Sequence, residues 1–245
     1  MKTYILLALG TIVVLGATIG GYAYYVKHTS TELCVLIDIT DSSSASLDTT
    51  EIPMYISHSI SAWSETKLSF SSLSNFQNNK KQTLYIEPAF PLFANPNKRK
   101  KQIEKQLRKV DETITGIKRS SGRETSILFV PIIRAAEALS KGTSKRKALI
   151  VYTDAKENTD YFSVYTAKDS VLVFTHPKEI KERIERQINV ETLEGVTLIF
   201  VYDAPTPEDE KVFLHVTAIW KEILEAHHAK VVITPSLSTL QNYAQ

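Results

Sequence analysis

Three side chains that carry oxygen follow an apolar segment near the start of the chain: Asp38, Thr40 and Ser42. The five apolar residues at 33–37 are bounded by polar residues, a pattern that predicts a strand buried on both faces. A spacing of two in an extended turn would direct these side chains toward one point. Oxygen ligands without sulfur or imidazole suit a hard divalent cation such as Mg²⁺. In the alternative interpretation, Asp38 caps the next helix and the two hydroxyl groups hydrogen-bond the turn.

Alternating apolar runs and helical periodicity predict the elements that would position these residues. The strands are expected at 33–37, 67–73, 82–87, 147–153, 196–202 and 230–234. The helices are expected at 51–64, 98–117, 127–140, 177–189 and 207–228. Strands that alternate with helices predict an α/β fold with a doubly wound, mostly parallel sheet. The polar link at 74–81 suits a hairpin, which makes one of the strands it joins an antiparallel edge strand.

The segment Asp38-Ile39-Thr40-Asp41-Ser42 resembles the first motif of the metal-ion-dependent adhesion site (MIDAS) of von Willebrand factor A (vWA) domains. That motif reads Asp-x-Ser-x-Ser, and Thr40 stands at the position of its first Ser. The resemblance implies a Rossmann-like sheet of the vWA type. It also implies two further ligands, a Thr from a loop before a later helix and an Asp at the end of the fourth strand.

The resemblance extends to residues after the third and fourth predicted strands. Asp154 matches the strand-terminal Asp, with Ala155 in place of the family's usual Gly. Thr125 is the best match to the loop Thr, and Ser126 is the alternative. The implied metal ligands are therefore Asp38, Thr40, Ser42, Thr125 and Asp154. The implied cofactor is Mg²⁺, with Mn²⁺ or Ca²⁺ as alternatives.

The resemblance also implies a function. In vWA domains a carboxylate from a protein partner completes the coordination of the metal, so we expect a protein-interaction module whose partner offers an acidic residue. A metal-free scaffold within a membrane complex is the alternative.

An enzyme is less favoured by the sequence. Phosphatases of the haloacid dehalogenase type require a second Asp at the position of Thr40. The sequence contains no Gly-x-Ser-x-Gly, no His-Glu-x-x-His and no Gly-rich phosphate loop. We therefore expect a binding protein without catalytic residues, and a Mg²⁺-dependent hydrolase is the less favoured alternative.

The N-terminal segment at 4–26 contains no charged residue, and three tyrosines cluster at its far end. As a helix it would measure about 34 Å, enough for a hydrocarbon core of about 30 Å. We expect a single-pass membrane protein, with a cleaved signal peptide as the alternative. The expected division is an anchor at 1–26, a short linker at 27–31 and a vWA-like domain at 32–245. A short, weakly charged N-terminus favours an extracytoplasmic domain, although Lys27 weakens that orientation.

The balance of charge argues against one class of partner. The formal net charge is +2 at pH 7, too close to neutral to favour nucleic acid. The basic start of the helix predicted at 98–117 is interpreted as a solvated face. Its functional alternative is contact with anionic lipid headgroups.

Overall fold

The computed structural model describes residues 2–39, 51–73, 81–119 and 126–243. Side chains are described in these ranges except at 2–9, 26–28, 118–119 and 241–243. Three of the predicted metal ligands, Thr40, Ser42 and Thr125, lie outside the described residues.

The predicted strands are confirmed, each within two residues at either end. They are β1 (Thr31–Ile37), β2 (Thr66–Ser72), β3 (Gln82–Ile86), β4 (Arg146–Tyr152), β5 (Val196–Val201) and β6 (Lys230–Thr234). The helices are α1 (Lys2–Thr29), α2 (Glu51–Ser59), α3 (Pro96–Arg119), α4 (Phe129–Ser140), α5 (Ala167–Thr175), α6 (Pro177–Glu185) and α7 (Pro207–Ala226), followed by a 3₁₀ helix at Leu237–Tyr243.

Three helices depart from the prediction. Helix α6, predicted at 177–189, ends at Glu185. The helix predicted at 51–64 ends at Ser59, because the chain then forms a turn in which the Ser61 hydroxyl accepts the Trp63 N–H at 3.3 Å. Helix α5 was not predicted. Thr166 caps its start by accepting the N–H of Asp169 at 3.2 Å.

The six strands form one sheet in the order β3-β2-β1-β4-β5-β6. All neighbouring pairs are parallel except β2 and β3, so β3 is an antiparallel edge strand. This confirms the predicted doubly wound, mostly parallel α/β sheet. The strand order reverses direction between β1 and β4, and open α/β sheets bind ligands at the carboxyl ends of the strands that flank such a point.

Both faces of the sheet are covered by helices, which explains why the central strands are nearly continuous apolar runs. In β1, Cys34 and Leu36 belong to one apolar cluster, while Leu33, Val35 and Ile37 belong to the other. The first cluster includes residues of α4, α5, α6 and α7, and the second includes residues of α2, α3 and the 3₁₀ helix. The sheet is therefore the rigid middle layer from which the site loops emerge.

Helix α1 leads directly into the sheet, because Ser30 alone separates it from β1. The predicted linker at 27–31 thus forms the end of the helix and the start of the strand. The Tyr25 hydroxyl lies 2.9 Å from the Ser61 hydroxyl, and the hydroxyl groups of Thr29 and Ser64 are hydrogen-bonded. Over the residues that the structure describes, no helix is both long and apolar enough to cross a membrane.

Candidate functional site

The structure brings two of the predicted ligands, Asp38 and Asp154, to the same edge of the sheet. Strands β1 and β4 are parallel neighbours, with Ile37 opposite Tyr152. The Asp38 N–H donates to the Tyr152 carbonyl at 2.8 Å, which extends the strand pairing by one residue. Asp38 thus comes directly after β1, and Asp154 comes two residues after β4. The remaining predicted ligands cannot be placed because they lie outside the described residues.

The Asp38 carboxylate is buried and oriented by Thr153, a residue that sequence reasoning did not select. Asp38 is only 1% exposed, and its Oδ2 accepts the Thr153 hydroxyl at 2.9 Å. The same Thr153 oxygen accepts the Ala155 N–H at 3.0 Å. Ala155 has φ of +59°, a backbone region that favours glycine. Thr153 therefore joins the carboxylate after β1 to the sharp turn after β4.

The Asp154 carboxyl group is also buried, at 7% exposure. Burial raises the pKa of Asp154 to about 6, even though the Lys156 N–H donates to its Oδ1 at 2.9 Å and lowers that pKa. The charge of Asp38 contributes further to the increase. The buried Asp38 carboxylate thus lies close enough to disfavour the charge of Asp154.

Lys156 supplies a positive charge to this region but lies closer to Asp209 than to Asp154. Its Nζ is 2.8 Å from an Asp209 oxygen and 3.9 Å from an Asp154 oxygen. Burial opposes the charge on Lys156, yet the hydrogen bond to Asp209 and the charge of Asp154 leave its pKa raised. The hydrogen bond from Lys156 lowers the pKa of Asp209, which Thr206 also contacts at the start of α7. The pair is therefore ionised and ties the loop after β4 to α7.

A third buried carboxyl group, that of Glu157, caps the start of α4. It is fully buried, and its oxygens accept the N–H groups of Leu128 at 3.2 Å and Phe129 at 2.9 Å. The Tyr161 hydroxyl donates to it at 3.2 Å. Leu128 provides no side-chain cap, so Glu157 satisfies N–H groups that the helix itself cannot. Burial raises the pKa of Glu157 to about 7 against these hydrogen bonds, and the charge of Asp38 adds to the increase.

The loop after β4 also contacts the segment that follows the predicted Thr125. The Asn158 N–H donates to the Ser126 carbonyl at 2.8 Å. Ser126, the alternative loop ligand, is buried at 7% exposure. Residues 153–158 therefore connect the ends of β1 and β4 to the start of α4.

The donor chemistry at this edge fits a hard divalent cation, because carboxylate oxygens are the ligands such ions prefer. Burial, with a smaller contribution from Asp38, raises the pKa of Asp154, so a bound cation would favour its charged form. Within the described ranges, however, no three or more His, Cys, Asp or Glu side chains are grouped so as to hold a metal ion. The two described candidates fit the cation, and the hydroxyl ligands predicted beside them remain predictions.

No family model matches the chain, and no curated protein matches it. Among solved structures, the chain is similar to an aerotolerance-related membrane protein from Bacteroides fragilis that carries multiple mutations to serines. The TM-score is 0.43 and the sequence identity is 10%, and the alignment covers 87% of this chain and 96% of that chain. It is also similar to an aspartate-to-alanine mutant of the PilB minor pilin from Streptococcus sanguinis, with a TM-score of 0.49 and 8% identity, covering 88% of this chain and 60% of that one. Both TM-scores lie below 0.5, so neither likeness assigns a function. The strand order and strand directions establish the doubly wound, mostly parallel α/β sheet.

Proposed function

We propose that this protein is a membrane-tethered, vWA-like interaction module that binds a divalent cation. Mg²⁺ is the preferred cation, and a carboxylate of a protein partner binds the module through it. One observation carries the proposal. Asp38 and Asp154 are both buried at the carboxyl ends of adjacent parallel strands, where the strand order reverses. Open α/β sheets bind their ligands at this position.

The proposed roles follow from the chemistry of each side chain. Asp38 and Asp154 would hold the cation directly or through water, and Thr40, Ser42 and Thr125 would contribute hydroxyl oxygens. Thr153 positions the Asp38 carboxylate through its hydrogen bond. When bound, the cation would offer an open coordination position to the carboxylate of the partner. No residue is proposed to be catalytic.

The membrane tether is proposed for the segment at 4–26, which carries no charge. It would form a single-pass anchor and place the domain on the extracytoplasmic side. Since Ser30 alone joins α1 to β1, a domain held in this way stays at the membrane surface.

Calorimetric titration of the full chain in detergent with Mg²⁺ tests the metal site. We expect one binding site in the wild type. We expect Asp38→Ala to weaken it by more than the 10- to 100-fold typical of residues that only support a ligand. Asp160→Ala is the matched control, because this exposed carboxylate lies in the same loop and is not a proposed ligand. Absence of binding by the wild type, or equal binding by Asp38→Ala, would refute the site.

The affinity for Mg²⁺ is expected to fall as the pH falls. Asp154 must lose its proton to bind a cation, and its pKa is about 6 in the folded protein. The apparent affinity should therefore be about tenfold lower at pH 5 than at pH 7, and nearly constant above pH 7. The same titration repeated across this range measures the effect, and equal affinities at pH 5 and pH 7 would contradict the role of Asp154.

A metal-free scaffold is the second candidate, and the position of Lys156 favours it. Its ammonium group lies between Asp154 and Asp209 and already supplies a positive charge there. A scaffold of this kind would bind its partner equally well in the presence of a chelator and after Asp38→Ala. Affinity capture with and without chelator therefore separates the two candidates.

A further inference from the structure

A basic groove lies between α3 and β3, the outermost strand of the sheet. It has a volume of about 880 Å³, and its charged lining residues are Glu87, Lys98, Arg99, Lys105 and Lys109. From 98 to 109 the sequence contains seven basic residues and one acidic residue, whereas the net charge of the whole chain is only +2. Positive charge is therefore concentrated along the helix that forms one wall of this groove.

Arg99, a lining residue of the groove, carries a hydrogen-bond donor that lacks a partner among the described residues. Its side chain is buried at 5% exposure, and its Nε donates to the Ala62 carbonyl at 2.6 Å. Within the described part of the chain, its Nη2 meets no hydrogen-bond partner, and neither does Oε1 of Gln106, another lining residue. A buried donor without an acceptor costs free energy, and an anionic oxygen entering the groove would supply the acceptor.

The stability of α3 does not explain this cluster of basic residues. Lys98, Lys100 and Lys101 lie near the helix N-terminus, where the macrodipole disfavours positive charge. A bound anion would offset both the repulsion among these side chains and their interaction with the dipole.

An apolar turn at 90–93 lies between this groove and the proposed anchor. The Phe90 ring centroid is 4.4 Å from that of Tyr22 in α1 and 5.1 Å from that of Phe93. Phe93 also lines the groove and is 83% exposed, while Leu92 is 71% exposed. Tyr22 precedes the end of the uncharged segment by four residues, or about 6 Å of helix. In an anchored protein, the turn that contacts Tyr22 lies at the depth of the membrane interface.

We infer that this groove binds the phosphate headgroup of an anionic phospholipid, with Leu92 and Phe93 inserted at the membrane interface. The inference rests on the membrane tether of the proposed function and is independent of its metal site. Basic residues close to a bilayer attract anionic lipids, and apolar aromatic side chains beside them favour the interface. The tether and the headgroup together would hold the domain in one orientation on the membrane.

Fluorescence quenching of the full chain reconstituted in vesicles tests this inference. A polarity-sensitive thiol label is attached at Leu92→Cys, since the native Cys34 is buried. The control label is attached at Leu214→Cys, an exposed leucine of α7 on the other face of the sheet. Vesicles contain phosphatidylcholine alone or mixed with phosphatidylglycerol, and a spin-labelled lipid near headgroup depth is the quencher.

We expect the spin-labelled lipid to quench the label at position 92 but not the label at position 214. The quenching at position 92 should increase severalfold when phosphatidylglycerol is present. The double variant Lys105→Glu with Lys109→Glu should remove this increase. Lys168→Glu with Lys178→Glu, which reverses two exposed charges on α5 and α6, should preserve it.

Several results would overturn the inference. Equal quenching at the two positions would show that the turn does not reach the membrane. A headgroup site would be excluded if phosphatidylglycerol did not increase the quenching at position 92. It would also be excluded if that increase were unchanged in the double variant Lys105→Glu with Lys109→Glu. If inorganic phosphate produced the same increase in quenching in phosphatidylcholine vesicles, the groove would bind free phosphate rather than a lipid headgroup. A chain that does not float with the vesicles would reject the tether and this inference together, while leaving the Mg²⁺ titration unaffected.

Discussion

Replacing Glu157 with alanine is expected to lower the free energy of unfolding by about 2–6 kcal/mol at pH 5, because it leaves two buried N–H groups without acceptors at about 1–3 kcal/mol each. These are the N–H groups of Leu128 and Phe129, which belong to fully buried residues at the start of α4. The Tyr161 hydroxyl loses its acceptor in the same variant. Denaturant unfolding monitored by circular dichroism measures the loss.

The cost of Glu157→Ala should become smaller as the pH rises, because the wild type itself becomes less stable. The pKa of Glu157 is raised from 4.5 to about 7 by burial, with Asp38 as the carboxylate that adds to the increase. The folded state therefore holds a proton that the unfolded state has lost between these values. The stability contributed by this group is present below pH 4.5 and is lost as the pH rises through 7, by up to about 3 kcal/mol.

Two variants serve as controls for Glu157. Glu157→Gln keeps a hydrogen-bond acceptor without a titratable charge, so it should flatten the dependence of stability on pH between 5 and 8. Glu137→Ala removes a carboxylate of α4, the helix that Glu157 caps. Glu137 forms a surface ion pair with Lys141, and its loss should change stability by less than about 1 kcal/mol. A Glu157→Ala protein as stable as the wild type at pH 5 would contradict the proposed capping role.

Replacing Asp154 with asparagine is expected to stabilise the protein without metal and to abolish its response to metal. Burial raises the pKa of Asp154 from 3.8 to about 6, so its stability contribution is present below pH 3.8 and is lost as the pH rises through 6. At pH 8 with chelator, Asp154→Asn should therefore raise the free energy of unfolding by about 1–3 kcal/mol. The pKa of about 6 already includes the attraction of Lys156, whose Nζ lies 3.9 Å from an Asp154 oxygen.

Added Mg²⁺ should reverse the order of the two proteins. The wild type gains about 4.1 kcal/mol when the free cation is at about 1,000 times its dissociation constant, and Asp154→Asn gains nothing. Thermal unfolding with chelator and with Mg²⁺ measures both effects, and Asp160→Asn should behave as the wild type in both. If Mg²⁺ stabilises Asp154→Asn as much as the wild type, Asp154 is not a ligand.

The architecture could be predicted because the signals that specify it are local. The apolar runs within 147–153 and 196–202 are short and rich in β-branched and aromatic residues, which favours a buried strand over a buried helix. Helix α5 was missed because its nine residues present a weak apolar face. The spacing of Thr166 and Asp169, a cap and a residue of the first turn, was the signal that could have found it.

Only those residues of the candidate site that directly follow a predicted strand could be located from the sequence. Asp38 and Asp154 follow adjacent parallel strands, so their meeting follows from the topology alone. The capping role of Glu157 depends on contacts with residues 28 and 29 positions earlier in the chain, which no local pattern encodes. The pairing of Lys156 with Asp209 likewise joins positions 53 residues apart, and neither residue type is distinctive in a loop.

A crystal structure of the full chain grown with Mn²⁺ tests the central claim most directly, because anomalous scattering locates the ion without assumptions about its ligands. We predict one strong anomalous peak in contact with the carboxylates of Asp38 and Asp154, directly or through a water molecule. A structure with Mn²⁺ in the crystals but no peak at this edge of the sheet would contradict the proposal.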